Sequence, residues 1–161
     1  MPPSPPRISA RALRGRRNRI ARLAARLGFV GRVEYRHVYS KTGGASYGQA
    51  ATPDQDLLTV YAEAFERDAD PNDFSLNAIL AHERGHQLLV RRPRLAAQAV
   101  HLLAVGEEVV ASVLGAIICR DTTDEEDLSG KAVFDLIARG VADAVALRMV
   151  LQMKGILESL L

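Results

Sequence analysis

The sequence predicts an α+β domain, and three observations carry that expectation. Two stretches, Ile8 to Leu27 and Phe74 to Val90, place apolar residues at the three- and four-residue intervals of an amphipathic helix. Between them Val33 to Ser40 (VEYRHVYS) is rich in β-branched and aromatic residues, as strands are. At 161 residues the chain is long enough for one hydrophobic core and one principal site. With 48% hydrophobic and 25% charged residues, it lies in the globular range and outside the disordered, collagenous and coiled-coil ranges.

Taken in order, Met1 to Pro6 holds four prolines, so residues 1–6 read as a loose tail. Residues 7–30 read as a basic amphipathic helix, with Leu13, Ile20, Leu23, Ala24 and Leu27 forming its apolar stripe. Residues 31–161 then form the main domain. Val33 to Ser40 and Ser46 to Ala50 are expected to pair as a β-hairpin through Lys41-Thr42-Gly43-Gly44, whose glycines accept positive φ. Thr52 to Phe65 fits two readings. Thr52, Pro53 and Gln55 make a helix-start signature and favour a helix slightly, while Leu57 to Ala62 has strand composition. Asp70-Pro71-Asn72-Asp73 breaks the chain and offers a cap for the next helix, whose core positions are Leu76, Ile79, Leu80, Leu88 and Leu89. A further helix is expected over Ala96 to Cys119, an acidic loop over Asp121 to Asp127, and helical pattern from Lys131 to Leu161.

Charge is unevenly spread. Residues 1–36 carry ten arginines against Glu34 alone, a balance of +9, whereas residues 37–161 carry 11 basic and 18 acidic side chains. Such a start suits a helix docked on an acidic body, which is the favoured reading, a contact with nucleic acid or a membrane surface, or an organelle transit peptide. Apolar runs fall well short of the roughly 18 residues a membrane span requires, so no membrane partner is expected. Cys119 is the single cysteine, which excludes an internal disulfide and a cysteine-built metal site and fits a reducing compartment.

The chemistry-bearing motif is His82-Glu83-Arg84-Gly85-His86, an H-E-x-x-H sequence inside the Phe74 to Val90 helix. Histidines four apart stack on one helical face, where both imidazoles can hold one Zn²⁺. Glu83 then flanks the ion and can take a proton from a water that the metal acidifies. A third protein ligand is required. A histidine six residues after His86 would supply it in a metzincin, but that position is Arg92. Glu107 and Glu108, 21 and 22 residues after His86, are the remaining candidates.

With H-E-R-G-H followed by Glu108-Val109-Val110-Ala111-Ser112, the chain resembles small gluzincin peptidases of the ImmA/IrrE type and related short zincins, over roughly residues 57–118. The resemblance implies a zincin-like fold: a small antiparallel or mixed sheet, the H-E-x-x-H helix, a glutamate-bearing helix and C-terminal helices. It implies zinc ligands at His82, His86 and Glu108, Glu83 as general base, a peptide or protein substrate and a cytoplasmic location. It also turns Leu57 to Ala62 into a strand at the edge of the sheet above the cleft. The chain departs from the family's pattern at Arg84, where a cation replaces an uncharged residue beside the site, and at Ser112, where Asp or Asn is usual and a serine supports the imidazole less. Tyr47, Tyr61 and His101 are the candidate oxyanion donors. His37 reads as a strand-face residue and Cys119 as a small buried hydrophobe. The rival to a peptidase is a weak or inactive zincin-fold module whose basic helix contacts nucleic acid or an acidic protein, with nucleic acid the less favoured partner.

Overall fold

The computed structural model describes residues 4–40, 42–94 and 107–122. They form a mixed α+β fold in which a three-stranded sheet is covered by helices. Helix α1 (Ala10–Arg26) opens on Ser9, whose Oγ accepts from the Ala12 N–H at 3.1 Å. It closes by a Schellman turn: Phe29 N–H donates to Ala24 O at 2.9 Å and Gly28 N–H to Ala25 O at 3.0 Å. Gly28 sits there at φ +71°, a conformation that L side chains rarely adopt. The stripe read from the sequence is the docking face, since Ile20, Ala24 and Leu27 are buried in one core with the sheet and the later helices.

Strands β1 (Arg32–Arg36), β2 (Ala45–Gly48) and β3 (Leu57–Tyr61) lie in the order β1-β3-β2, with β1 parallel and β2 antiparallel to β3. Two expectations are corrected here. β1 and β2 do not pair as a hairpin, and Leu57 to Tyr61 is the central strand, not an edge. The cause is the connection between β1 and β2. Val38 O accepts the Ala62 N–H at 3.1 Å and Gly44 O accepts the Tyr61 N–H at 2.8 Å, so the chain passes round the end of β3 before returning. Burial agrees with this order. Leu58, Thr59 and Val60 are all buried, which suits the centre of a sheet, whereas β1 and β2 keep exposed positions suited to edges.

The helix-start signature at Thr52 yields one 3₁₀ turn, Pro53–Gln55, and β3 follows at once. Helix α2 (Ala62–Ala69) takes up the last four residues of that ambiguous stretch and continues beyond it. Helix α3 (Leu76–Arg91) is capped by Ser75, whose Oγ accepts from Ala78 N–H at 3.1 Å, and not by the preceding Asp70 to Asp73 turn. Its predicted core positions, Leu76, Ile79, Leu80, Leu88 and Leu89, are all buried. Helix α4 (Glu107–Thr122) packs along α3 and adds Val110, Leu114 and Ile118 to the core. The parts of the expected helices that fall at residues 96–106 and 131–161, with the loop beyond Thr122, lie outside the described residues. No helix among the described residues is long and apolar enough to cross a membrane.

Candidate metal centre

Two glycines set the distance between α3 and α4. A Cβ on Gly85 would lie 2.5 Å from Ala111 O, and one on Gly115 would lie 2.8 Å from His82 N. Neither position has room for a side chain, so the two backbones touch there. Glu108, Ala111, Ser112 and Gly115 recur at helical spacing, and this close approach brings their face of α4 against the histidines of α3.

His82 and His86 stand one turn apart with Nε2 atoms 3.1 Å from each other. The Glu108 carboxylate reaches both: Oε2 is 3.2 Å from His82 Nε2 and Oε1 is 3.4 Å from His86 Nε2. One potential ligand atom from each residue lies within 4.8 Å of the others. Donors bound at 2.0 to 2.1 Å around a tetrahedral ion sit about 3.4 Å apart, so this donor set has the chemistry and the spacing that zinc requires. The other ring nitrogens are held as well. Ser112 Oγ is 3.1 Å from His82 Nδ1, and Glu107 Oε1 is 2.9 Å from His86 Nδ1. Glu107 and Glu108 thus do different things: the first orients a ring from outside, and the second faces the point where both Nε2 atoms converge.

Glu83 is buried at 8% exposure beside this group. Burial pushes its carboxyl up to about 7; the neighbouring His86 and the Tyr47 backbone N–H, which donates to it, oppose that shift, and Glu108 adds to it. The Tyr47 hydroxyl points elsewhere and donates to Asp56 Oδ2 at 2.9 Å. The Tyr61 hydroxyl lies 3.5 Å from Ser46 Oγ. Neither tyrosine hydroxyl is therefore aimed at the histidine pair by these contacts, and His101 lies outside the described residues. His37 is tied to Pro6 O at 2.7 Å and to the Tyr35 hydroxyl at 2.9 Å, a structural link between the chain start and β1. The Cys119 side chain is outside the described residues.

Arg84 is also placed differently from the expectation. It does not join the histidine face; Nη1 donates to Gln87 Oε1 at 2.7 Å, on the opposite side of α3 and near Gly28. That side carries a polar network that the motif does not announce. Asp56 is fully buried and accepts from Gln87 Nε2 at 2.9 Å, Arg91 Nε at 3.0 Å, Tyr47 Oη at 2.9 Å and Ala50 N at 2.8 Å. Arg91 Nη2 also pairs with Asp56 Oδ1 and donates to Ala50 O at 2.6 Å. Gln87 in turn donates to Val30 O at 2.6 Å and accepts from Val30 N at 3.2 Å. Together these hold the Asp56 carboxyl far below the usual carboxylate range, the Arg91 guanidinium being the largest cause, and push the Tyr47 hydroxyl up to about 12, chiefly through burial. The signal available in the sequence was the polar repeat Glu83, Gln87, Arg91, every fourth residue and so along one side of the helix.

No family model, no curated protein and no solved structure matches the chain.

Proposed function

We propose that the chain is a cytoplasmic zinc metallopeptidase of zincin-like fold that hydrolyses peptide or protein substrates. The observation that carries this reading is the convergence of His82 Nε2, His86 Nε2 and Glu108 on one point, with the buried Glu83 carboxylate next to it. A zinc ion held there supplies the polarisation of a substrate carbonyl and the acidification of water toward a pKa of about 7. The chain's own residues do the rest. Glu83 accepts the proton of the attacking water and returns it to the leaving amine. The Tyr47 N–H fixes the position of that carboxylate. Ser112 and Glu107 each engage an Nδ1, so that Nε2 presents its lone pair to the metal. An extended substrate pairs as an added strand on β2, which among the described residues has β3 on one side only. In its antiparallel ladder Ser46 and Gly48 bond to β3, so Ala45 and the Tyr47 carbonyl face outward for such a strand, while the Tyr47 N–H is taken by Glu83.

Metal analysis tests this reading. Protein purified without chelator is expected to hold one Zn²⁺ per chain, and His82→Ala or His86→Ala to hold none. Glu83→Gln is expected to keep zinc and lose cleavage of a quenched-fluorescence peptide library, and Glu108→Gln to bind zinc more weakly. Protein that is metal-free and takes up no added zinc would overturn the proposal.

A further inference from the structure

α1 contains seven arginines in 17 residues and no acidic side chain. The structure divides them by use. Arg16 stacks 4.5 Å from the Phe65 ring and donates to the Tyr35 hydroxyl at 2.7 Å, and Arg19 pairs with Asp68 at 2.6 Å. Arg11, Arg14, Arg17 and Arg22 are exposed, and among the described residues none of them has a carboxylate partner. They span about 16 Å along the helix.

We propose that this exposed arginine row is a binding surface for the phosphate backbone of duplex nucleic acid, without base specificity. The inference is independent of the metal centre. A membrane surface fits less well, because an interfacial helix must sink an apolar face into the lipid and here Ile20, Ala24 and Leu27 are buried in the protein core. Single strands fit less well too, since α1 offers no aromatic side chain on which a base could stack. An acidic protein would need carboxylates spaced to match, whereas a duplex presents a continuous line of charge, about one per 1.7 Å of its axis. Every cation in the row is a guanidinium, whose planar fork fits two phosphate oxygens at once.

The test is fluorescence anisotropy of a labelled duplex of arbitrary sequence against the full-length protein over a salt series. Four phosphate contacts predict a log–log salt slope of roughly −3 to −4, so that raising salt from 50 to 200 mM lowers affinity about 100-fold. The variant Arg11→Gln/Arg14→Gln/Arg17→Gln/Arg22→Gln keeps helix propensity and touches no core residue. It is expected to keep the parent melting temperature and to lose binding, whereas Arg19→Gln, whose arginine is already paired, is expected to keep the slope. A flat salt dependence of the parent, or parent-like binding by the quadruple variant, would refute the proposal. So would stronger binding to phosphatidylserine vesicles or to polyglutamate than to duplex at equal charge concentration, because the surface would then belong to a lipid or an acidic protein. The parent's salt slope needs no variant, so it decides the matter even if the quadruple variant fails to fold.

Discussion

The two sides of α3 are built on opposite plans. Toward α4 the helix presents His82 and His86 with Glu108, a cluster whose third member is largely exposed and whose donor atoms lie within 4.8 Å of one another. Toward β2 and the chain start it presents Gln87 and Arg91 to Asp56, a carboxylate with no exposure and four residues donating to it. One side holds the donor set on which the proposed metal site rests, and the other is a network satisfied by protein groups. Glu83 joins the two: it lies beside the histidines, yet its carboxylate is held by the backbone of Tyr47, whose hydroxyl belongs to the Asp56 network. A residue of the network is thus expected to govern folding, and a residue of the histidine side to govern metal, with little crossover.

The largest effect is expected from Asp56→Ala. It strands Arg91, Gln87, the Tyr47 hydroxyl and the Ala50 N–H at once. Breaking a buried ion pair from one side costs about 3 to 5 kcal/mol, and a value near about 3 is expected because Arg91 keeps 18% exposure. Chemical denaturation measures it, and a loss under about 1 kcal/mol would refute the asymmetry. The network also sets an acid dependence. The Asp56 carboxyl is depressed in the folded chain, so its contribution is whole above the unfolded value of about 3.9 and drains away as pH falls below it toward the folded value. Asp56→Asn is expected to flatten the fall in unfolding free energy between pH 5 and pH 2, which denaturation at several pH values would read directly.

The same contrast explains how much could be read from the sequence. His82 and His86 share one helix, so a fixed rise and turn place them together whatever the rest of the chain does. Glu108 comes from a separate helix, and spacing left it level with Glu107; only the resemblance of Glu108 to Ser112 to the short zincins singled it out. Asp56 stands just before β3, Tyr47 on β2, and Gln87 and Arg91 on α3; no local period links three segments, and only the folded chain brings them together. The sheet order was hidden for a related reason. Gly43 and Gly44 have the positive φ that a tight turn requires, but the hydrogen bonds of Val38 and Gly44 to the start of α2 and end of β3 route the chain past β3. Turn residues report a reversal and not its partner.

A smaller effect, and one that sharpens the comparison on the metal side, is expected at Gly85. The added methyl of Gly85→Ala would meet Ala111 O at 2.5 Å, so α3 and α4 must part. Overpacking of this kind costs about 1 to 3 kcal/mol. Separation also draws Glu108 and Ser112 away from the histidines, so zinc affinity should fall together with stability. Gly15→Ala is the control, because nothing lies within 4 Å of its added methyl at this exposed position of α1, and removing a helical glycine there is expected to stabilise by about 0.5 to 1 kcal/mol. Equal behaviour of the two variants in zinc titration and thermal melting would show that the helix contact does not position the ligands.

The finest discrimination comes from Ser112. Its Oγ lies 3.1 Å from His82 Nδ1, and it accepts that nitrogen's proton when Nε2 serves as a ligand. Ser112→Ala removes an acceptor without opening a void near the apolar core, so the metal-free protein should melt within a degree or two of the parent. Its zinc affinity should nonetheless drop about 10- to 100-fold, the usual cost of losing an outer partner of a ligating histidine. Ser112→Asp tests the direction of the effect: a carboxylate in place of the hydroxyl makes the imidazole a stronger donor and should tighten zinc beyond the parent. Competition with a chelator of known affinity orders the three proteins. Alanine weakest, serine intermediate and aspartate tightest is the order expected if this hydroxyl supports a metal ligand, while three equal affinities would mean that the His82–Ser112 contact serves only to pack α4 on α3.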